Sequence, residues 1–328
     1  MRRLFVLTAL VACGPAPRAQ STADDVLYAR PASYAADVST PRVTAARAAP
    51  TTTVLTFNVR WDDPDVTGAA TWAHRRAGAI AIIASANADL VGTQEATRRQ
   101  ADDLEAALPA YTGVSVATKL APEQHDSLLF FRKDRYALVE AHHFWLSTTP
   151  DVPRSDDLPR AVPGHGPRSV SCALLREHDG RQLVFCNTHF DGDRRVNEAS
   201  ARILTGRLRT RYPGRSVVLT GDFNALPFTE ATWDEAPAWA APFRSGTYAH
   251  FIARYVDAQA VLQPDNPARM LCPKSECFVD AVRIDWVLTS RDLEPIAAQT
   301  LSQRHEGIRV TDHWPIVVTL RPRRSLPL

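Results

Sequence analysis

The chain has 328 residues, of which 45% are hydrophobic, and a formal net charge of +2. This length and apolar content allow a large buried core, organised as one big domain or two small ones. No run of five or more basic residues occurs. The totals therefore lack the positive charge expected of a protein that binds bulk DNA without sequence preference.

The N-terminal sequence MRRLFVLTALVACG has the layout of an export signal, with two arginines before an apolar stretch too short to cross a bilayer. The letters LVAC resemble a bacterial lipobox. The resemblance implies a lipoprotein signal over residues 1–12, cleavage before Cys13 and lipidation of that thiol. The alternatives are an ordinary signal peptide with an incidental cysteine, and a cytoplasmic protein that keeps its initiator methionine. Loss of Arg2 and Arg3 with the signal would bring the net charge from +2 to about zero.

Residues 13–50 are rich in alanine, proline, serine, threonine and arginine. This composition buries little apolar surface, so the segment is predicted to be a flexible tether. The folded body is predicted to span residues 51–322, with a C-terminal tail over 323–328. No linker divides that body.

Four cysteines follow Cys13, which suits an oxidising compartment. Cys172 and Cys186 flank an Asp-Gly hairpin signal, which would place them opposite each other on adjacent strands, either as a disulfide or as two buried thiols. Cys272 and Cys277, in CPKSEC, are predicted to close a loop through a disulfide, with free thiols as the alternative. Zinc binding by all four is disfavoured because the two pairs differ in type and spacing.

Strands and helices alternate along the first part of the body. TVLTFNVRW (53–61) and LVGTQEA (90–96) are predicted strands, and helices are predicted over 71–90 and 98–111. In the first helix, helical spacing of apolar residues predicts a buried face of Ala77, Ile80, Ala81 and Ala84.

Further strands are predicted in the rest of the body, over 126–133, 136–147, 168–178, 182–190, 216–224, 283–290 and 315–322. An amphipathic helix is predicted over 197–213, and AHFIARYVDAQAVL (249–262) is predicted as another helix with buried aromatic residues. Several strands are hairpin neighbours, which argues against an all-parallel sheet. Two packed sheets with helices outside would bury all of these apolar runs.

Polar side chains recur where the predicted strands end. Asp222 and Asn224 follow the apolar run VVLTG, and two residues apart on an extended chain their side chains would point the same way. Each such residue alone is typical of a strand end that caps the strand or faces water. Their recurrence along the chain predicts a site assembled at one edge of a sandwich from Asn58, Glu95, His189, Asp191, Asp222, Asn224, Asp285, Asp312 and His313.

The acids of this set point to metal-assisted phosphate chemistry. Glu95, Asp222, Asp285 and Asp312 offer hard oxygen ligands, which suit Mg²⁺, Mn²⁺ or Ca²⁺ better than Zn²⁺. Carboxylates that leave room for water and substrate oxygens are what a phosphoryl-transfer site needs. Histidines beside them can take or give a proton near neutral pH.

Eight segments of the chain resemble the endonuclease/exonuclease/phosphatase superfamily, which has the fold of DNase I. They occur in the family's order over residues 51 to about 322, and TGDFN together with DHWP is the specific pair. The segments are TFNVRW, GTQEA, FFRKDRY, FWLSTTPDVP, NTHFD, LTGDFNALP, RIDWVL and TDHWPIVV. The resemblance implies a four-layered α/β sandwich, with two packed mixed β-sheets flanked by helices, and a Mg²⁺-dependent hydrolase of phosphoesters.

The resemblance also implies which residues hold the metal and the attacking water. Glu95 would be the main metal ligand, with Asn58 and Asp312 completing the metal environment. Asp222 and Asn224 would position and activate the water, so that both point at the scissile phosphate.

The remaining implied roles concern the phosphate and its surroundings. His189 and His313 would bind phosphate oxygens and assist proton transfer, and Asp285 would orient one histidine. Arg168 and Asp191 are candidates for substrate contact, with a solvated or salt-bridged arginine as the alternative for Arg168.

Two positions depart from the family pattern. Gly192 follows Asp191 where related chains commonly have histidine. His125 and Asp126 stand in the region where they tend to carry a glutamate, and Asp126 is a candidate to support His189 in its place.

The sequence thus predicts a monomeric, membrane-tethered phosphoesterase of the cell envelope. Candidate substrates are a phosphorylated small molecule, a lipid head group or extracellular nucleic acid, and the near-zero mature charge disfavours bulk DNA. The alternative is a non-enzymatic surface-binding lipoprotein with the same fold, although such a protein would be free to lose Glu95 or the histidines. The segment after GDFNALP holds Trp233, Trp239 and Phe243 and is a candidate wall of the cleft.

Overall fold

The computed structural model describes residues 51–114, 126–160, 166–236, 240–241, 244–263 and 283–323. The predicted signal, the tether with Cys13, and residues 324–328 lie outside the described residues. So do Cys272 and Cys277, His125, and the side chain of Asp126. In the described part of the chain, no helix combines the length and apolar character needed to cross a membrane.

The described residues form four α-helices and fourteen strands. The helices are α1 (Trp72–Ala86), α2 (Arg98–Ala107), α3 (Arg194–Arg211) and α4 (Thr247–Ile252). The strands are β1 (Thr52–Asn58), β2 (Leu90–Ala96), β3 (Tyr111–Val114), β4 (Asp126–Arg132), β5 (Tyr136–Trp145), β6 (Ser169–Glu177), β7 (Gln182–His189), β8 (Ser216–Asp222), β9 (Val256–Asp257), β10 (Asp285–Thr289), β11 (Leu293–Thr300), β12 (Arg304–His305), β13 (Ile308–Arg309) and β14 (Ile316–Pro322).

Two six-stranded mixed sheets make up the body. The first has the order β11-β14-β1-β2-β4-β3 and the second β5-β6-β7-β8-β10-β9. β1 pairs with β2 and β7 with β8 in parallel, whereas the other pairs in both sheets are antiparallel. The predicted mixed sheets are confirmed, and β3, β9 and β11 to β13 are strands that the hydrophobic pattern did not predict.

Three apolar clusters join these elements into four layers. The cluster between the sheets includes Val54, Phe185 and Val287, all fully buried. A second packs α1 and α2 on the first sheet, and a third packs α3 on the second sheet. Burying one such large side chain stabilises the fold by roughly 1.5–3 kcal/mol, so these clusters are the main source of stability. The predicted α/β sandwich is confirmed.

The buried face of α1 differs from the predicted one. Ala77 and Ala84 are exposed, whereas Trp72, Ile82 and Ile83 pack into the core. The bulky side chains bury more apolar area than alanine does, so they decide which face of an alanine-rich helix turns inward.

The predicted helix over 249–262 is correct over 249–252 and wrong beyond Ile252. α4 ends at Ile252, and the chain then forms the short strand β9 and a 3-10 turn over Ala260–Leu262. The apolar residues are nevertheless buried, since Phe251 is fully enclosed and Tyr255 packs against the same cluster. Pairing of Val256 with Thr289 of β10 replaces helical hydrogen bonds with sheet bonds.

Buried aromatic residues match the sequence interpretation where they are described. Phe144, Trp145 and Trp286 are each at most 2% exposed and belong to the core, as predicted. Trp233 lies in a small separate cluster with Phe228. Trp239 and Phe243, predicted with Trp233 to form a cleft wall, lie outside the described residues.

A buried polar bridge joins the two sheets beneath the strand ends. Asn187 on β7 donates from Nδ2 to the carbonyls of Thr93 (2.7 Å) and Leu128 (3.0 Å) on the opposite sheet. Its Oδ1 accepts from Gln94 Nε2 at 2.6 Å and Thr220 Oγ1 at 2.9 Å. These bonds satisfy every buried atom of the carboxamide and fix the spacing of the sheets at that level.

Cys172 and Cys186 form a disulfide between β6 and β7. The two residues are direct partners in the antiparallel register, as the Asp-Gly hairpin signal predicted. Gly180 of that turn has a φ of 89°, a conformation that glycine adopts without strain. Of the two alternatives left open by the sequence, the structure therefore has the disulfide.

Candidate active site

The polar residues predicted from the strand ends meet at one edge of the sandwich. Asn58, His189 and Asp222 are the last residues of their strands. The register pairs His189 with Asp222 and Asp222 with Asp285, so three functional side chains lie on neighbouring strands of the second sheet. Each of these residues is at most 5% exposed.

Alternation along β8 explains why Asp222 faces the space between the sheets. Val218 belongs to the cluster between the sheets, and Thr220 bonds the inter-sheet Asn187. Asp222 continues this set at a spacing of two residues. Gly221 keeps the backbone close to β7, because a Cβ there would lie 2.6 Å from the carbonyl oxygen of Thr188.

Asn58 contacts the acidic groups from both sheets. Its Nδ2 lies 2.9 Å from Oε1 of Glu95 and 3.0 Å from Oδ2 of Asp222. The same nitrogen is 3.4 Å from Nε2 of His313. Its Oδ1 accepts from the backbone N–H of Arg60 at 2.9 Å. Asn58 therefore fixes the separation of the two carboxylates.

Glu95 reaches the site through an irregular backbone. Gly92 and Gln94 of β2 face the other sheet, so regular alternation would point Glu95 away from it. Glu95 has a φ of 66°, and the β2–β4 register shifts between Thr93 and Ala96. This bulge turns the carboxylate toward Asn58. A left-handed conformation at a residue other than glycine costs on the order of 1–3 kcal/mol, which is typical of functional positions.

Asn224 also departs from the predicted geometry. Its φ of 44° is left-handed, so the chain turns after Asp222 instead of continuing extended. The turn lets Asp222 Oδ1 accept from the backbone N–H of Asn224 at 3.0 Å. Asn224 Nδ2 lies 3.0 Å from His189 Nε2 and donates to the Phe190 carbonyl at 3.0 Å. Asp222 and Asn224 thus converge on His189 through a tight turn.

His313 is oriented from two sides. Its Nδ1 lies 2.8 Å from Oδ2 of Asp285, and its backbone N–H donates to Thr311 Oγ1 at 3.1 Å. Thr311 in turn donates to the Asn58 carbonyl at 2.7 Å. The Asp285 contact leaves Nε2 facing Asp222, whose Oδ2 is 3.6 Å away. The contact fits the orienting role that the family resemblance implies for Asp285, and that role stays a prediction.

Burial and neighbouring charge set the protonation of the central pair. Burial raises the pKa of Asp222 to about 7; His313 opposes this rise, while Asp285 and Glu95 add to it. Burial acts to lower the pKa of His313, but Asp285 and Asp222 together raise it well above its ordinary value. The pair therefore holds a proton at neutral pH, with the imidazole as its cationic member.

Three buried groups lie close enough to bind one metal ion. Ligand atoms of Glu95, Asp222 and His313 lie within 4.8 Å of one another. Two buried carboxylates fit a divalent cation, since the negative charge needs a counter-charge. Asn58 turns its Nδ2 toward both of them, and its Oδ1 accepts from Arg60 N–H. In the described part of the chain, Asp312 is half-buried and outside this group. The roles predicted for Asn58 and Asp312 stay predictions.

Asp191 is engaged by protein groups. Its Oδ2 accepts from Arg160 Nε at 3.0 Å, and its Oδ1 accepts from the backbone N–H of Asp193 at 2.8 Å. Arg160 also bonds Asp156, so the loop after β5 is tied to the strand end that carries His189. Arg168 is half-buried, and its backbone carbonyl accepts from Leu146 N–H at 2.7 Å. Substrate contact by Asp191 and Arg168 stays a prediction.

Arg75 is a residue of the site that sequence reasoning missed. Its fully buried guanidinium donates to five backbone carbonyls at 2.7–3.1 Å. Three of them belong to residues 59–61, just after Asn58, and one to Val310, just before His313. Burial lowers the pKa of Arg75 to about 10. The sequence feature that could have identified it is its position one turn after Trp72, on a helix face whose other residues are apolar.

Comparison with known proteins agrees with this geometry. A model of the Endonuclease/Exonuclease/phosphatase family matches residues 55–313. Among curated protein sequences, none matches the chain.

Several solved structures share the fold. An endonuclease/exonuclease/phosphatase from Bacteroides vulgatus is 22% identical, with a TM-score of 0.67, over 84% of this chain and 100% of that chain. A mannosyl-6-phosphatase from Bacteroides thetaiotaomicron is 23% identical, with a TM-score of 0.63, over 82% and 99%. The catalytic domain of human Nocturnin, with bound sulfate, is 19% identical, with a TM-score of 0.60, over 84% and 94%.

The matched span carries every residue of the candidate active site at the strand ends, from Asn58 to His313. We refer to this site as the strand-end site. The family predicted from the eight sequence segments is therefore confirmed. The chain belongs to the endonuclease/exonuclease/phosphatase family and is a hydrolase that acts on phosphoester bonds.

Proposed function

We propose that this hydrolase uses Mg²⁺ to release phosphate from a phosphorylated small molecule at the cell envelope. The observation that carries the proposal is the position of Asp222 between two histidines. Its Oδ2 lies 3.4 Å from His189 Nε2 and 3.6 Å from His313 Nε2. A carboxylate flanked by two imidazoles can take a proton from water while both rings face the phosphate oxygens.

Asp222 is the general base in this proposal. Its pKa of about 7 lets it accept a proton from water near neutral pH, which is the range where proton transfer by a side chain is most effective. The bonds from Asn58 Nδ2 and the Asn224 N–H hold both carboxylate oxygens in place. The base is therefore oriented before the substrate arrives.

The two histidines receive the substrate. His313, oriented by Asp285 and cationic at neutral pH, faces the site with Nε2 and offsets charge on the phosphate oxygens. His189 is placed by Asn224, whose Nδ2 is 3.0 Å from the ring nitrogen Nε2. These groups would stand beside the phosphate while water attacks in line with the departing oxygen.

Glu95 and Asn58 are proposed to hold the metal, with Asp312 nearby. When bound, a divalent cation supplies positive charge beside the phosphate and so lowers the cost of the charged transition state. Mg²⁺ is proposed over Zn²⁺ because Glu95 and Asp312 offer carboxylate oxygens; Mn²⁺ and Ca²⁺ share the preference for oxygen. The Trp61 N–H donates to Glu95 Oε2 at 3.1 Å, which keeps the carboxylate turned toward Asn58.

A phosphorylated small molecule, such as a sugar phosphate, is the proposed substrate class. The mannosyl-6-phosphatase of Bacteroides thetaiotaomicron, with the same fold, supports this class. The near-zero charge of the mature chain supports it as well, because bulk nucleic acid is bound mainly through positive charge. Turnover of a lipid head group or of nucleic acid in place of sugar phosphates would replace this substrate class.

The envelope location rests on the N-terminal sequence. The arginines, the apolar stretch and LVAC before Gly14 support export and a lipid anchor on Cys13. The Cys172–Cys186 disulfide supports an oxidising compartment. Mass spectrometry of protein from the membrane fraction tests the location: a lipidated Cys13 supports it, and an intact initiator Met without lipid contradicts it.

Phosphate release from a panel tests the activity and the substrate class. The panel contains mannose 6-phosphate, glucose 6-phosphate, p-nitrophenyl phosphate, bis-p-nitrophenyl phosphate, single- and double-stranded DNA and sphingomyelin, each with Mg²⁺ and with EDTA. Turnover of the sugar phosphates that EDTA abolishes supports the proposal. Turnover confined to diesters, DNA or sphingomyelin would replace the substrate class, and turnover that survives EDTA would contradict the metal dependence.

A further inference from the structure

A basic groove lies on the outer face of the second sheet, on the side covered by α3 and away from the strand-end site. It runs between α3 and α4 and encloses about 600 Å³, a size typical of small-ligand sites. Arg202 and Arg209 of α3, Arg215 after that helix, and Arg254 after α4 line it. We refer to it as the α3–α4 groove.

The arginines of this groove have no acidic partner among the described residues that line it, because none of those residues is acidic. Two other arginines of α3 show the contrast, since Arg207 pairs with Asp151 and Arg211 pairs with Glu140. In the described part of the chain, Arg202 and Arg209 form no such ion pair and are exposed.

The floor of the groove is polar, and its side chains are joined by hydrogen bonds. The Thr205 hydroxyl donates to the Ala201 carbonyl at 2.8 Å, so it accepts from His250 Nε2, which lies 2.8 Å away. Arg254 Nη1 donates to the His250 carbonyl at 2.8 Å, which holds that guanidinium at the rim. Burial, then Arg254 and Arg202, lower the pKa of His250, as expected where positive charge accumulates.

Gly206 and two tyrosines give the groove its shape. Gly206 lies on α3 between the arginine positions, and a Cβ there would meet no atom within 4 Å, so the helix surface is open at that point. Tyr212 and Tyr255 line the groove and are largely enclosed. Aromatic faces beside guanidinium groups can pack against the non-phosphate part of a ligand.

We propose that the α3–α4 groove is a second binding site, for a ligand that carries two or more phosphate groups. Guanidinium groups bind phosphate through paired N–H donors, and four of them around one concave surface exceed what a single phosphate needs. Such phosphates are supplied either by a soluble polyphosphorylated molecule or by the head groups of an anionic membrane. The groove would place that ligand on the protein independently of turnover at the strand-end site.

Binding of inorganic tripolyphosphate to the full chain tests the proposal directly. Titration calorimetry is carried out in EDTA on the wild type, on Arg202→Gln/Arg209→Gln, and on the control Arg176→Gln/Arg323→Gln. The control removes the same charge from exposed positions outside the groove. We expect the groove variant to weaken binding at least about tenfold, the control to leave it nearly unchanged, and added salt to weaken it in the wild type.

Vesicle sedimentation distinguishes the two sources of phosphate. The same proteins are sedimented with phosphatidylcholine vesicles and with vesicles that also contain phosphatidylglycerol. All of the proteins keep the same N-terminal segment, so its contribution to vesicle binding does not differ between variants. If the wild type binds the anionic vesicles better than the neutral ones, and only the groove variant loses this extra binding, the ligand is a membrane head group. If the groove is needed to bind tripolyphosphate but not to bind vesicles, the ligand is a soluble molecule. Equal loss in both variants, unchanged binding in the groove variant, or no binding of either probe would overturn the proposal.

Discussion

Asp285 and His313 form the shortest link between an acid and a histidine of the site, with 2.8 Å between Oδ2 and Nδ1. Asp285 is the first residue of β10 and lies opposite Asp222 in the sheet register. Asp285, at the start of β10, therefore fixes the ring of His313. Asp222, at the end of the neighbouring strand β8, is the group toward which Nε2 points. The direction of the imidazole is therefore determined by this pairing.

Asp285→Asn is expected to lower the turnover number by about 10- to 100-fold with little loss of folded protein. The amide keeps the size of the carboxylate but lacks the negative charge that orients His313 and raises its pKa. Steady-state kinetics on the best panel substrate measures the loss. Asp234→Asn, at an exposed acid elsewhere, is the matched control and should be indistinguishable from the wild type. Equal turnover by both variants would show that the orientation of His313 does not limit the reaction.

Arg75→Lys tests the buried guanidinium that ties the loop after Asn58 to the segment before His313. Lysine keeps the charge but cannot supply five donors in a planar fork, so several buried carbonyls lose their partners. We expect a loss of roughly 3 kcal/mol in the free energy of unfolding, measured by urea denaturation. Arg76→Lys, at the next and exposed position, should change it by less than about 0.5 kcal/mol. Similar losses in both would contradict the assigned role.

The Cys172–Cys186 disulfide is expected to contribute to stability and not to catalysis. It lies on β6 and β7 within the cluster beneath α3. Replacement of both cysteines by alanine should lower the free energy of unfolding by about 2–4 kcal/mol. Turnover at 25 °C should remain within about twofold of wild type, because the folded site does not use either sulfur. A large fall in turnover of the folded variant would mean that the bond also positions His189.

The stability of the fold should decrease in mild acid because of His143. Burial, then His142, lower its pKa from 6.5 to about 4 in the folded protein. The unfolded state therefore binds more protons between these values, and the free energy of unfolding should fall as the pH is lowered from 6.5 to about 4. His143→Gln should flatten this dependence in thermal unfolding scans, whereas His178→Gln, at an exposed position, should not. Equal slopes in all three proteins would contradict a half-buried, neutral His143.

The sequence predicted most of the fold because strong local patterns and tertiary packing agreed. The apolar runs of β7 and β8 are buried on both faces, so they could be predicted as strands without knowing which strands they pair with. The strand-end residues Asn58, His189 and Asp222 followed from the same runs, since each polar residue stood where an apolar run stopped. Their recurrence predicted the grouping, and the family resemblance then supplied their roles.

The features that the sequence did not predict depend on contacts distant in the chain. β11 is the edge strand beside β14 and has few buried residues, so its pattern was too weak to identify. The left-handed backbone of Glu95 and Asn224 leaves no trace in hydrophobic spacing. Arg75 is buried because it bonds carbonyls of three separate segments, which one sequence cannot bring together.

Asp222→Asn is the measurement that tests the proposed mechanism most directly. Release of phosphate from the best substrate is followed with Mg²⁺ for the wild type and for the folded variant, with Mg²⁺ binding measured for both by calorimetry. Asparagine has nearly the same shape but keeps only one of the two acceptor oxygens that bond Asn58 Nδ2 and the Asn224 N–H. It cannot accept a proton from water, so we expect turnover to fall by at least about 100-fold, a typical contribution of general base catalysis. Turnover within a few-fold of wild type would exclude Asp222 as the base and contradict the proposed mechanism.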